Sequence, residues 1–495
     1  MSELALDKLW NDFHSLEIFE DVINAHAPSS DKPIIKLVNV DPLVEGVDEQ
    51  RWTLLSPMND QVTSRIQGYL NRIHYFCLSG DASFLRTECS LWRILSVGQN
   101  APLLPSLRIL DIAHITVGPR LLDVTNFAPI LSSSIREIRI KEDHPDDVFS
   151  DIPTLFYLLK SSRCEPCTLC FRAPYHADVP QSIRSCFPRL KNLTFAYFKE
   201  NHPQSPNSTV ILPDILNALP SLEYLQADLR ALPMPPCETP VITHPCLEVL
   251  HLNGYPRNYN STFRVCRFPH LGRCSYVIHI PSSLDWRGTI DGIARCSPML
   301  HGLDIEIKHT YTLVSKKLSF DDFRPLLRMP IKKLGLRNVE FSFSIQEVEL
   351  MLRQWTHLHS LELTSSNMSS RSPDGDPMYD AALLVALGKH CNLREAKIDL
   401  DFRTLADPDL QSGMFSFEPQ SSLNTLRIRT AENFPEELVP IHLLARNILE
   451  IFPAVYILYE GEYGGLKKRF DEFRKLLALL KRERKPSLVT GHSSG

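Results

Sequence analysis

The sequence predicts an α/β repeat protein in which short parallel strands line one side and helices return along the other. Three observations carry that prediction. A short apolar string recurs along the chain, amphipathic segments of helical length lie between its copies, and 37 Pro against 19 Gly fit many short connections.

The string reads apolar-x-x-apolar-x-apolar. It runs through Leu107, Leu110 and Ile112 in PSLRILDI, Ile135, Ile138 and Ile140 in SSIREIRI, and Leu190, Leu193 and Phe195 in PRLKNLTF. Further copies are PSLEYLQA, PCLEVLHL, PMLHGLDI, PIKKLGL, THLHSLEL, CNLREAKI and SSLNTLRI, ending with Leu423, Leu426 and Ile428. Weaker copies are NRIHYFCL, PCTLCF, PHLGRC and PAVYILY. Successive copies lie mostly about 24 to 35 residues apart, overlapping and slightly exceeding the leucine-rich period of roughly 20 to 29. The period-2 end of each string is a strand with one apolar face. One such strand cannot bury that face by itself, but stacked copies form a parallel sheet over a continuous core.

A parallel crossover must return on one side of the sheet, usually as a helix. The segments 151–162, 211–219, 319–329, 344–355, 378–391 and 441–452 meet that demand. In 344–355, Ile345, Val348, Met351, Leu352 and Trp355 share one face. Several of these segments open with Asp or Ser, good N-caps. The expected fold is therefore an irregular leucine-rich-repeat-like solenoid, a horseshoe with short parallel strands and outer helices. The Asn that follows the strand in many such repeats is mostly absent, so the loops are expected to be long and varied.

Composition sets limits on function. Apolar residues make up 43% and charged residues 22% of 495, as in ordinary soluble proteins. A net charge of −5 gives no reason to expect nucleic-acid binding. Residues 1–12 lack a signal-type apolar run, and no stretch approaches the ~20 apolar residues of a membrane span. An intracellular protein, cytoplasmic or nuclear, is expected, with its 12 Cys as reduced thiols.

Residues 1–27 read as a helical segment, with Leu6, Leu9, Trp10 and Phe13 at helical spacing. Residues 28–60 read as an irregular connector and 61–463 as the solenoid. Residues 464–485 form an amphipathic helix with Leu466, Phe470, Phe473, Leu477 and Leu480 on one stripe and Lys and Arg on its other faces. It is expected to cap the last repeat, followed by a disordered tail, 486–495. The polar stretches 200–209 and 364–377 read as exposed loops, with recognition and plain insertion both open.

The string Ala5-Leu6-Asp7-Lys8-Leu9-Trp10 resembles the segment that closes the F-box in F-box-like proteins of mushroom-forming fungi. In those chains a connector follows, then a helix with a Y-x-x-R-[IV] string, then degenerate leucine-rich repeats. Tyr69, Arg72 and Ile73 match that string, and the order of parts matches over nearly the whole chain. The resemblance implies a substrate-recognition subunit of a Skp-cullin-F-box type ubiquitin ligase, with a Skp-type adaptor and a target protein as partners. The Leu-Pro front of that module has no counterpart ahead of Leu6. Only Leu6, Leu9 and Trp10 therefore carry over as adaptor-binding candidates. The alternative is a ligase-independent repeat scaffold that binds another protein.

Motifs for catalysis are missing. There is no G-x-x-x-x-G-K-[ST], no G-x-G-x-x-G and no G-x-S-x-G. Cys164-x-x-Cys167-x-x-Cys170, with Cys186 or His176 as a fourth ligand, has zinc-like spacing, but Cys167, Leu169 and Phe171 also fit a repeat strand. The strand reading is preferred, and no enzyme activity, cofactor or metal is expected. His357 and His359 flank Leu358 and alternate onto one face if they lie in a strand. Protein binding is expected on the strand face, at the x positions Glu248, His251, Lys333, His359, Glu362, Lys397 and Arg427.

Overall fold

The computed structural model describes residues 12–13, 19–25, 33–40, 49–96, 101–116, 124–141, 152–172, 179–196, 211–230, 232–279, 285–308, 317–364, 381–399, 422–428, 438–459 and 464–484. The chain divides into two compact units, Met1–Leu250 and His251–Gly495. Both are α/β, built from a leucine-rich-repeat-like strand–helix unit.

In the first unit the strands β1 Asp12–Phe13, β2 Tyr75–Asp81, β3 Ile109–Thr116, β4 Glu137–Lys141, β5 Thr168–Arg172, β6 Asn192–Ala196 and β7 Tyr224–Asp228 pair in chain order. All these pairs are parallel. A further strand, β8 Val249–Gly254, spans the division. In the second unit β9 Arg273–His279, β10 Gly302–Lys308, β11 Lys333–Arg337, β12 Ser360–Thr364, β13 Glu395–Ile398, β14 Thr425–Ile428 and β15 Tyr456–Tyr459 follow the same rule.

The apolar string maps onto this frame in one register. Its first apolar residue lies two positions before the strand, as Leu107 does for β3, Leu300 for β10 and Leu358 for β12. Its second and third lie in the strand and point into the core, giving the alternating burial of β4, β5, β13 and β14. The leading residue closes a turn, as in Leu107 N to Leu104 O (3.1 Å) and Leu358 N to Trp355 O (2.9 Å). The next two N–H groups then donate to one carbonyl of the preceding repeat. Arg136 and Glu137 donate to Arg108 O (2.8 and 3.0 Å), and Arg394 and Glu395 to His359 O (2.9 and 3.0 Å). The bond repeats from His74 to Glu223 in the first unit and from Gly272 to Arg394 in the second, so the residue just before the strand occupies an equivalent position in these repeats.

Helices pack on the apolar face. Phe76 of β2 meets Trp92 of the helix Ala82–Ser96 edge-on at 6.0 Å. Tyr276 of β9 meets Tyr259 and Phe263 of the helix Pro256–Val265 at 5.5 and 5.4 Å. Tyr259 is wholly buried, and its hydroxyl donates toward the carbonyls of Leu252 (3.1 Å) and Val277 (2.5 Å). A buried phenol needs such a partner, and here it also ties two strands to one helix.

The helix Ile345–Gln354 starts as its sequence predicts. Ser344 Oγ accepts from Glu347 N (3.3 Å), and Glu347 reaches back to Ser344 N (2.7 Å), a full capping box. The last helix, Gly464–Arg484, buries Phe470, Phe473 and Leu477 and stacks Phe470 on Tyr459 of β15 at 5.0 Å. Leu480 is half-buried and the placement of Leu466 is not described.

Three local expectations need correction. Phe13, read as helical, lies with Asp12 in β1, which pairs with Tyr75 and Phe76 of β2 and supplies partners to that strand's edge groups. The helix of this region is Phe19–Asn24. Within 28–60, read as irregular, Ile35–Val40 and Glu49–Leu54 form an antiparallel pair. Asn24 fixes the helix to that pair, its Oδ1 accepting from Ile34 N (2.9 Å) and Ile35 N (3.1 Å). Finally, His357 and His359 precede the strand β12 rather than lying in it, because the turn closed by Leu358 comes first. Leu6, Leu9, Trp10 and His176 lie outside the described residues, as do 200–209, 365–377 and 486–495.

Candidate protein-binding face

The face of the sheet opposite the helices carries the polar x positions. In the second unit these stand in register across strands: Asp304, Gly335, Glu362, Lys397 and Arg427 in one row. Glu306, Arg337 and Thr364 form the row beside it. Neighbouring strands lie only ~4.8 Å apart, so the side chains of adjacent repeats meet.

They meet as alternating charges. Asp304 accepts from Lys333 (3.2 Å) and from Arg337 (3.5 Å). Glu362 accepts from Arg337 (2.7 Å) and forms an ion pair with Lys397 (3.1 Å), and Glu395 faces Arg427 at 2.8 Å. Glu362 is the most enclosed of these, its side chain 13% exposed. Burial works against the charge of Arg337, but the Glu362, Asp304 and Glu306 carboxylates outweigh it and push its pKa up. The network borders an open cavity of about 520 Å³. Small-molecule sites are mostly apolar and enclosed, whereas this lining is dominated by charged and polar side chains.

Four of the seven candidate positions, Lys333, Glu362, Lys397 and Arg427, line this one cavity. His359 is exposed and lines a second cavity of about 330 Å³ with Lys332, His357, Asn392 and Arg394. His251 is half-buried, its pKa lowered by burial against the opposing pull of Asp304. Glu248 is exposed and belongs to the first unit. Sequence reasoning missed Asp304, Glu306, Arg337 and Glu395. The same alternation marks them, because each stands beside a buried strand position.

The first unit has its own charged cluster. Asp111 of β3 is 2% exposed. It accepts from Tyr75 Oη (3.2 Å) and Lys141 Nζ (3.1 Å), with Arg139 at 3.6 Å. Burial, with the Asp111 charge adding to it, pushes the Tyr75 phenol up. Asp111 therefore staples three strands.

The cysteines of the zinc-like spacing diverge. Cys164 is buried and its thiol donates to Ser132 O (2.9 Å), while Cys167 donates to Arg136 O (3.3 Å). Burial pushes the Cys164 thiol up to about 12, which keeps it protonated and unreactive. Among the described residues no group of three or more His, Cys, Asp or Glu could hold a metal ion. Iodoacetamide at pH 8 is expected to label the exposed Cys237, Cys246 and Cys391 and to spare Cys164, Cys266 and Cys274 until the chain unfolds. Peptide mass mapping checks this, and labelling of Cys164 in the native protein would contradict the burial.

His244 is 3% exposed and hydrogen-bonds Leu219 O at 3.0 Å. Burial lowers its pKa below 6.5, against the pull of that carbonyl. The folded state then binds fewer protons than the unfolded state as pH falls through 6.5, so stability is expected to drop there and to be regained above it. His244→Asn should flatten that slope. Unfolding midpoints between pH 5 and 8 measure it, and an unchanged slope would place the titration elsewhere.

No helix among the described residues is long and apolar enough to cross a membrane. No family model matches the sequence, and no curated protein matches it. Among solved structures the chain is similar to one titled "Crystal structure of mouse RP105/MD-1 complex". The identity is 13% and the TM-score 0.32, over 66% of this chain. The match spans 59% of that chain's length.

Proposed function

We propose that this chain is a non-catalytic protein-interaction module that serves as the substrate-recognition subunit of a Skp-cullin-F-box type ubiquitin ligase. The observation that carries the interaction reading is the charged strand face of the second unit, where Asp304, Arg337, Glu362 and Lys397 form one linked network on an open cavity. Pre-arranged charges of both signs suit a protein surface of complementary pattern, giving specificity and register. The lining is too polar and open to enclose a small apolar ligand.

The ligase half rests on the resemblance around Leu6, Leu9, Trp10, Tyr69, Arg72 and Ile73. Ile73 is fully buried, while Tyr69 and Arg72 are half-buried at the end of the helix Asp60–Leu70 and just beyond it. In this reading Leu6, Leu9 and Trp10 contact the adaptor, and the strand face of the second unit, with His251, Lys333, His359, Glu362, Lys397 and Arg427, holds the target; Glu248 is a separate candidate on the first unit.

Binding of the purified chain to a purified Skp-type adaptor tests the ligase half. A stable complex that Trp10→Ala abolishes is expected. Absence of a complex would overturn the ligase reading and leave the second one, a ligase-independent scaffold, which the strand face supports equally well.

A further inference from the structure

The residues just before the strands form a file, because the carbonyl of each from His74 to Glu223 in the first unit, and from Gly272 to Arg394 in the second, accepts two N–H groups from the next repeat. In the second unit that file reads Gly272, His301, Lys332, His359, Arg394 and Asn424, one residue per repeat. It therefore holds four basic residues in succession and no carboxylate. In the first unit the same file reads His74, Arg108, Arg136, Cys167, Lys191, Glu223 and Glu248, and there Lys191 pairs with Glu223 at 2.7 Å. The first file supplies its own anions; the second does not.

His301 is half-buried, whereas the other three basic residues of the second file, Lys332, His359 and Arg394, stay exposed. Among the described residues none of these three has a carboxylate within ion-pair distance. His357 joins them, and Asn392 holds the turns together by donating its amide to Thr356 O at 2.7 Å. These residues share the cavity of about 330 Å³. The local potential is visible at His301. Burial lowers the pKa of its ring, and Lys332, Arg273 and His359 lower it further.

We propose that this basic file binds an acidic peptide segment of a partner protein, running across the starts of β10 to β13 with its carboxylates on Lys332, His359 and Arg394. Charge complementarity argues for an acidic occupant. The adjoining surface argues for a peptide rather than a nucleic acid. Lys332, His359 and Arg394 are each followed directly by a residue of the larger cavity, Lys333, Ser360 and Glu395. That cavity intersperses Glu306, Glu362 and Glu395 with Lys333, Arg337, Lys397 and Arg427, a surface of mixed sign that matches a continuous phosphate backbone, anionic at every step, poorly. A peptide can place its acidic residues on the file and other residues on the mixed face. The inference rests on the protein-binding reading above and adds the chemistry of the partner.

Fluorescence anisotropy with the full chain tests it. The probes are a labelled decapeptide of alternating Asp and Ser, its Asn-for-Asp analogue, the same peptide carrying phosphoserine, and a uridine decamer of RNA. The acidic peptide is expected to bind, to weaken as salt is raised, and to lose at least about tenfold in affinity in the Lys332→Glu/Arg394→Glu variant. The charge-matched variant Arg324→Glu/Arg353→Glu, altered on exposed helical positions, should bind as the parent does. Lys332→Gln/Arg394→Gln gives the same test without charge reversal.

Equal binding of the Asn analogue would overturn the proposal, as would an affinity that the file variants leave unchanged. RNA or phosphopeptide binding at least about tenfold tighter than the acidic peptide would also overturn it, by naming another occupant. Acidic-peptide binding without adaptor binding would remove the ligase reading and keep this one. Adaptor binding without acidic-peptide binding would do the reverse.

Discussion

Trp355→Ala is expected to destabilise the protein by about 3–5 kcal/mol, the range for removing a large buried aromatic. Trp355 is 2% exposed and ends the helix Ile345–Gln354. Its ring lies edge-on to Phe323 at 5.8 Å, and its carbonyl accepts from Leu358 N (2.9 Å) and His390 Nε2 (3.1 Å). The ring thus packs two helical segments together beside the turn that launches β12, and it is this packing, not the carbonyl's bonds, that the variant removes. Neighbouring repeats support one another, so the loss should spread to β11 and β13 and loosen both cavities. Urea unfolding followed by circular dichroism measures it. A shift below about 1 kcal/mol would mean that the site collapses around the smaller side chain.

Gly335→Val is expected to cost about 1–3 kcal/mol, the usual penalty for overfilling a packed position, and to dismantle the charged face. Gly335 is the gap in the row between Asp304 and Glu362. A Cβ there would lie 2.2 Å from Asp304 Oδ1. The Asp304 carboxylate would have to leave Lys333 and Arg337. If that displacement is the cause, Asp304→Ala should relieve much of the penalty in the double variant. Comparing the two single variants with the double isolates the coupling. Additive losses would show that the added methyls clash with the backbone instead.

The strand positions were legible in the sequence for a simple reason. A strand in a repeat sheet has one buried face, and period-2 apolar spacing follows directly from it. The strings PSLRILDI, PMLHGLDI and SSLNTLRI therefore marked β3, β10 and β14. Helix starts such as Ser344 with Glu347 were equally local, since capping uses residues three apart. The strand Asp12–Phe13 was not legible, because two residues carry no period and their partner lies at Tyr75 and Phe76.

The candidate site divides in the same way. The polar x positions Lys333, Glu362, Lys397 and Arg427 follow from alternation alone. Which of them meet depends on register: Lys333 reaches Asp304 and Arg337 reaches Glu362 only because adjacent repeats pair residue for residue. The basic file needed still more, since His359 and Arg394 are 35 residues apart and become neighbours through the paired N–H hydrogen bonds to the preceding carbonyl. The sequence by itself determined the repeat, the direction of its strands and the buried face, because these rest on contacts within one repeat. Only the tertiary structure decided which charges stand together, because ion pairs between repeats depend on the ~4.8 Å stacking of strands and on register, and neither is written in the spacing of any single string.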